Sequence, residues 1–169
     1  MATENINDLF IEELKNILDA EHQITKGLPN LIKASESPEL KDALSGHLKE
    51  TEGQVERLNK IFSLLKIKPQ TTSCKAMKGL IDECDAVVKE FSKSALRDAA
   101  IIAKAQRIEH YEIATYGTLK SFATELGLIE ITALLKTTLD QESAADKKLT
   151  KIAEGSLLTA GINSEANSK

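Results

Sequence analysis

The sequence predicts an all-α fold, an antiparallel four-helix bundle with an additional shorter helix in the crossover between its second and third long helices. Three observations predict it. Ala, Leu, Ile, Lys and Glu, which lose little on becoming helical, dominate a chain of 169 residues that is 4% aromatic and has no Trp. Apolar residues recur at spacings of three and four over long segments. Gly, Pro and polar turns cut those segments into pieces of rod length, and amphipathic rods must pack side by side.

The first helix, α1, runs from residue 6 to about 34, with Leu9, Phe10, Leu14, Ile17, Leu18, Ile24, Leu28, Leu31 and Ile32 on its apolar stripe. Pro29 lies inside it and deprives the carbonyl of Thr25 of a partner, so a kink is expected one to two turns after Glu21. SESPEL then supplies a turn and a helix start, with Ser37 as N-cap and Pro38 at the first helical position. This second helix, α2, continues to about residue 66.

KIKPQTTS breaks the pattern, and a shorter helix, α3, follows from about 74 to 91 through Met77, Leu80, Ile81, Val87 and Val88. It is a connector long enough to cross the bundle. The third long helix, α4, spans about 94 to 125 and is ended by Gly127; the fourth, α5, runs from about 129 to 154. The short α1–α2 and α4–α5 links make each pair an antiparallel hairpin. Residues 1–169 read as one domain, with a tail from about 156 expected to fray at its polar end.

Composition excludes several functions. The net charge of −4 argues against nonspecific nucleic-acid binding, and MATENIND is no basic arm. Neither a signal-peptide pattern nor an apolar run of membrane-spanning length is present, so no membrane partner is expected and the expected location is cytoplasmic. Cys74 and Cys84 lack CxxC spacing and read as ordinary thiols.

The stretch RIEHYEIATYGT, residues 107 to 118, breaks an otherwise regular core pattern. Along α4, steps of seven give Ile102, Glu109, Tyr116 and Ala123, and a companion row passes Ala105, Glu112 or Ile113, and Leu119. Both glutamates fall on the apolar stripe. In α5, Glu142 lies between Leu135 and Leu149, and Asp146 between Leu139 and Ile152. In α1, Leu14 and Leu28 flank Glu21. The second helix is less regular: Glu50 falls with Gln54, Leu58 and Ile61, while Leu44, Leu48 and Val55 define a neighbouring stripe.

Residues three or four apart on a helix have Cβ atoms about 5–6 Å apart, so Glu109 with Glu112, and Glu142 with Asp146, can grip one ion or two neighbouring ions. Burying one unpaired carboxylate costs several kcal/mol, against roughly 5–15 kcal/mol for the stability of a whole domain. Six converging acids therefore need neutralising. Protonation or basic partners could do it, but Lys104, Arg107, Lys147 and Lys148 flank the stripes on solvated faces. Two divalent metal ions, with four positive charges, are the economical reading.

The order of Glu on α1, Glu on α2, ExxE on α4 and ExxxD on α5 resembles the di-iron ferritin-like superfamily, closest in pattern to rubrerythrin. More specifically, DAEHQ, HLKETEGQVERL and DAAIIAKAQRIEHYEIATYGTL resemble the ferritin-like bacterial stress proteins typified by YciE and YciF, over residues 5 to about 155. EHYEIATYGTL is the most specific part. The resemblance implies a ferritin-like bundle with Glu21, Glu50, Glu109, Glu112, Glu142 and Asp146 as metal ligands, Glu50 and Glu112 being shared or bridging. It implies two metal ions, iron first and manganese second, a homodimer, and dioxygen or peroxide as a small oxidant partner.

This sequence departs from the redox-active relatives at two places. They carry histidine three residues after the α2 glutamate, where this chain has Gly53, and commonly histidine where it has Asp146. The site would be almost wholly oxygen-ligated, which suits hard cations. His47, one turn before Glu50, could replace the missing nitrogen if α2 is slightly rotated.

Simpler readings stand beside these. Glu50 alone reads as a boundary residue whose head reaches water. His22 and His110 sit about 100° around the helix from a ligand candidate, as outer-sphere or surface groups. Tyr116 reads as a core tyrosine bonding a carboxylate. Gly46 and Gly53 suggest close approach of a neighbouring helix or a dimer partner. Two functions follow: a di-metal stress-response protein with oxidase, ferroxidase or peroxide-consuming activity, or a structural or interaction protein in which the metal pair only stabilises the bundle. DNA protection and cage-type iron storage have no supporting feature.

Overall fold

The computed structural model describes residues 5–156 and 159–168. Leu157, Leu158 and Lys169, which belong to the tail expected to fray, lie outside the described residues, as do the first four. Among the described residues the chain folds into α1 (Ile6–Ala34), α2 (Pro38–Leu64), α3 (Lys75–Glu90), α4 (Ala95–Glu125), α5 (Ile129–Glu154) and a short α6 (Ile162–Ala166). The four long helices form the expected bundle, at about 1.5 Å per residue roughly 40–46 Å long. The principal hairpins are α1 with α2 and α4 with α5, α2 also lies along α5, and α3 spans α1 and α4.

Local chemistry sets the ends. Asn5 caps α1 through its side-chain oxygen on Asp8 N, and Ser37 caps α2 on Leu40 N with Pro38 opening the helix. Cys74 serves as the N-cap of α3, its Sγ accepting from Met77 N at 3.4 Å. Ser94 caps α4. Gly127, at φ 68°, takes the left-handed conformation that turns the chain into α5. Pro29 lies inside α1, which continues as helix to Ala34.

The α1–α2 turn is pinned from α4. The buried carboxylate of Asp98 accepts from Glu36 N at 2.9 Å and Ser37 N at 2.7 Å. Arg97 donates to the carbonyls of Ala34 and Phe91. These contacts satisfy backbone groups that a helix end and a tight turn leave open, and they fix the relation of the two hairpins.

Two expectations are corrected here. A Cβ placed on Gly46 or Gly53 would meet nothing within 4 Å among the described residues, so no neighbouring helix of this chain requires glycine at either position. The tail does not simply fray: Gly155 bridges Ala160, α6 packs on α4 and α5, and Ile162 is buried. No described helix is long and apolar enough to cross a membrane.

Candidate metal centre

Each long helix of the bundle places polar side chains in the interior at mid-length. From α1 comes Glu21; from α2, His47, Thr51 and Gln54; from α4, Glu109, Glu112 and Tyr116; from α5, Thr138 and Glu142, all buried. The stripes read from the sequence on α1, α4 and α5 account for four of them, since Leu14–Glu21–Leu28, Ile102–Glu109–Tyr116 and Leu135–Glu142–Leu149 face inward throughout.

The second helix differs from expectation. Its buried face is Leu40, Leu44, His47, Thr51, Gln54, Leu58 and Ile61, a regular three-and-four rhythm that passes beside Glu50. The Glu50 side chain is 47% exposed, with Oε2 4.0 Å from His47 Nδ1. His47 takes the inward position instead, its Nε2 3.4 Å from Glu109 Oε1. Asp146 is also peripheral: its side chain is 20% exposed, 3.2 Å from His110 Nε2, and accepts from Gln106 Nε2 at 3.0 Å. The structure brings Glu21, Glu109, Glu112 and Glu142 into the interior, and leaves Glu50 and Asp146 at its margin.

One donor atom each from His47, Glu109, Glu112 and Glu142 lies within 4.8 Å of all the others. Few internal bonds satisfy them. Tyr116 OH donates to Glu21 Oε1, and Gln54 Nε2 donates to Glu142 Oε1. Among the described residues, both oxygens of Glu112, both nitrogens of His47, and Oε2 of Glu21, Glu109 and Glu142 have no hydrogen-bond partner. Buried polar atoms are normally paired, and one left unpaired costs about 1–3 kcal/mol. This concentration of orphaned acceptors around one point is what a bound cation would relieve, and the buried His/Glu cluster could hold a metal ion.

The electrostatics agree. Burial pushes the Glu21 carboxyl up from an ordinary 4.5 to about 8, Glu142 adding repulsion while hydrogen bonds from Tyr116 and Glu112 and the charge of Arg57 offset part of the rise. Burial likewise drives Glu109 well above the carboxylate range, with Glu142, Asp146 and Glu21 adding to it. Glu112 rises for the same reason, beside Glu142, Glu21 and Glu109. Without a cation, burial therefore favours the protonated form of all three carboxyls. Burial, with any negative charge on Glu21 or Glu112 adding to it, also pushes the Tyr116 phenol up, so it stays a donor to Glu21 Oε1.

The Tyr116–carboxylate bond is as the sequence predicts, and His47 occupies the place of the nitrogen donor that a slightly rotated α2 allows. The sequence does not foresee Gln54 bonding Glu142, though Gln54 falls on the same stripe as Leu58 and Ile61. Its outward neighbour Arg57 donates to Thr138 Oγ1 at 2.6 Å and Gln141 Oε1 at 3.1 Å, tying α2 to α5 next to the cluster.

Comparison with known proteins gives a consistent result. A family profile described as "Domain of unknown function (DUF892)" matches residues 5–166. Protein YciF of Escherichia coli K12 is 45% identical over 156 residues, covering 90% of this chain and 93% of YciF. The crystal structure of the E. coli stress protein YciF superimposes with a TM-score of 0.88 at 39% identity, over 99% of this chain and 100% of that one. YcfI from Rhodopseudomonas palustris superimposes with a TM-score of 0.86 at 44% identity, over 89% of this chain and 96% of the other. A protein from Xanthomonas campestris pv. campestris shares the fold, with a TM-score of 0.70 at 19% identity over 87% of this chain.

Proposed function

The chain belongs to the DUF892 family, and we propose that it is a ferritin-like metal-binding stress protein whose centre holds two divalent ions, iron or manganese. The observation that carries this reading is the cluster of His47, Glu109, Glu112 and Glu142 around one point, with Glu21 beside it and most of their donor atoms unpaired. Two divalent ions balance four carboxylates charge for charge. Glu21, Glu109, Glu112 and Glu142 are the proposed oxygen ligands and His47 the nitrogen ligand, taking the part first expected of Glu50. Such a donor set, mostly hard oxygen with one imidazole, suits iron(II) and manganese(II). A bound redox-active pair supplies electrons to dioxygen or peroxide. The chain's own contribution is to hold the carboxylates in place: Tyr116 orients Glu21, Gln54 orients Glu142, and Leu and Ile side chains exclude bulk water.

A second reading is favoured by YcfI, to which a structural role has been provisionally assigned. In that reading the ions only stabilise the bundle. Protein purified without chelator should carry about two ions per chain by elemental mass spectrometry, and Glu109→Ala should lose them. Substoichiometric metal, with Glu109→Ala indistinguishable from wild type, would remove the proposal. Consumption of peroxide or dioxygen with ferrous iron above the Glu109→Ala background separates the enzymatic reading from the structural one.

A further inference from the structure

A cavity of about 120 Å³ opens between α2 and α5, lined by Ala43, Gly46, His47, Glu50, Glu109 and Ala145 among others. We propose that this cavity is the port through which a divalent cation reaches the buried centre, with Glu50 as its outer carboxylate and His47 as the side chain that passes the ion to Glu109. The inference rests on the metal-binding reading above and goes beyond it by assigning a route.

The residues form an ordered series from solvent to interior. Glu50 is half-exposed at the mouth, 4.0 Å from His47 Nδ1. The other nitrogen of the same ring, Nε2, is 3.4 Å from the buried Glu109 Oε1. Both ring nitrogens lack a hydrogen bond among the described residues although the ring is buried, so no hydrogen bond fixes the orientation of the imidazole. A second, much smaller cavity of about 10 Å³ also touches His47 and Glu109 and is otherwise apolar, lined by Ile24, Leu28, Leu31, Ile81, Ala105 and Ile108. The 120 Å³ cavity shares His47 and Glu109 with the buried cluster, so a route from this face leads to those two side chains. The outer cavity, at about 120 Å³, has room for an ion that has kept part of its hydration shell.

The walls suit passage. Gly46, Ala43, Ala144 and Ala145 present almost no side chain to the cavity. At Gly46 a Cβ would meet nothing within 4 Å among the described residues, so a larger residue there fills the passage without displacing a neighbour. This gives Gly46 a reason that packing does not. Lys148 also lines the cavity, and its positive charge opposes cation uptake where Glu50 assists it.

The test uses the full chain, stripped of metal, with manganese(II) or anaerobic iron(II) uptake followed by stopped flow and release followed with excess chelator. Gly46→Leu should slow uptake and release by the same factor, about tenfold, leaving final stoichiometry and equilibrium affinity unchanged, because a narrowed passage alters rates in both directions equally. Gly53→Leu, on the same helix with equal free space but outside the cavity, should behave as wild type. Glu50→Gln should slow uptake and Lys148→Gln should speed it, both differences shrinking as salt is raised. Wild-type rates in Gly46→Leu or in Glu50→Gln, or a change of affinity in place of matched rate changes, would overturn the port while leaving the metal centre intact. Wild-type protein that takes up no ion would overturn both.

Discussion

Glu112 carries the contradiction of this fold in one side chain: it is fully buried, and neither oxygen accepts a hydrogen bond among the described residues, the Glu21 carboxyl being a partner only while a proton is shared between the two. In a metal-free bundle this arrangement costs stability, since an unsatisfied buried polar group costs about 1–3 kcal/mol. Glu112→Leu, close to the same volume, should therefore raise the stability of chelator-treated protein to urea by about that amount. The same substitution should abolish stoichiometric metal uptake. Denaturation curves of the stripped variants, set beside elemental analysis, check both parts. A Glu112→Leu variant that is less stable without metal would mean that the carboxyl is satisfied in some other way.

At the scale of the element, helix ends were legible and helix faces only partly so. Ser37, Pro38, Ser94 and Gly127 act locally, through backbone hydrogen bonds and one positive φ, and so can be read from a few neighbouring residues. The inner faces of α1, α4 and α5 were legible because apolar residues flank each inward acid at seven-residue spacing. The face of α2 was not, because its centre is polar. His47, Thr51 and Gln54 all face inward, and Thr51 conceals its hydroxyl by donating to the His47 carbonyl at 2.9 Å. With no apolar marker there, the sequence favours Glu50 as the ligand and admits His47 only for a slightly rotated helix, which is how α2 in fact sits. The order of the tail is hard to read because few apolar residues mark a mostly polar segment; among the described ones, Ile162 is the buried hydrophobic residue of α6.

The same local accounting predicts helix stability. Gly53→Ala lies in regular helix with open space and should stabilise by up to about 1 kcal/mol. Gly155→Ala should destabilise by more than that, since φ is 80° and the new Cβ would fall 2.4 Å from Gly161 N. Asp98→Ala removes the acceptor for two backbone N–H groups at the α1–α2 turn and should cost about 2–3 kcal/mol. Thermal melts of the three variants check the order; equal melting temperatures for Gly53→Ala and Gly155→Ala would contradict it.

For the whole molecule, the buried carboxyls reverse the usual dependence of stability on pH. Glu21 has its folded pKa raised from 4.5 to about 8, and Glu109 and Glu112 are raised as well. A raised carboxyl contributes stability that is complete below its unfolded pKa and is lost as pH climbs through the folded value. Metal-free protein should therefore lose stability between about pH 4.5 and 8. Exposed Glu12 and Glu83, whose pKa values are lowered by Lys15 and Lys104, act in the opposite sense, but below 4.5 and outside this window. Metal binding needs deprotonated ligands, so affinity should grow over the same range. The melting temperatures of stripped and loaded protein should then diverge as pH rises. At about 100 times Kd the ion contributes ~2.7 kcal/mol, which at roughly 2–4 °C per kcal/mol gives a separation of about 5–11 °C. Parallel melting curves for the two forms from about pH 5 to 8 would mean that the interior neither holds protons nor exchanges them for metal, and the reading of these three carboxyls as part of a cation site would fall.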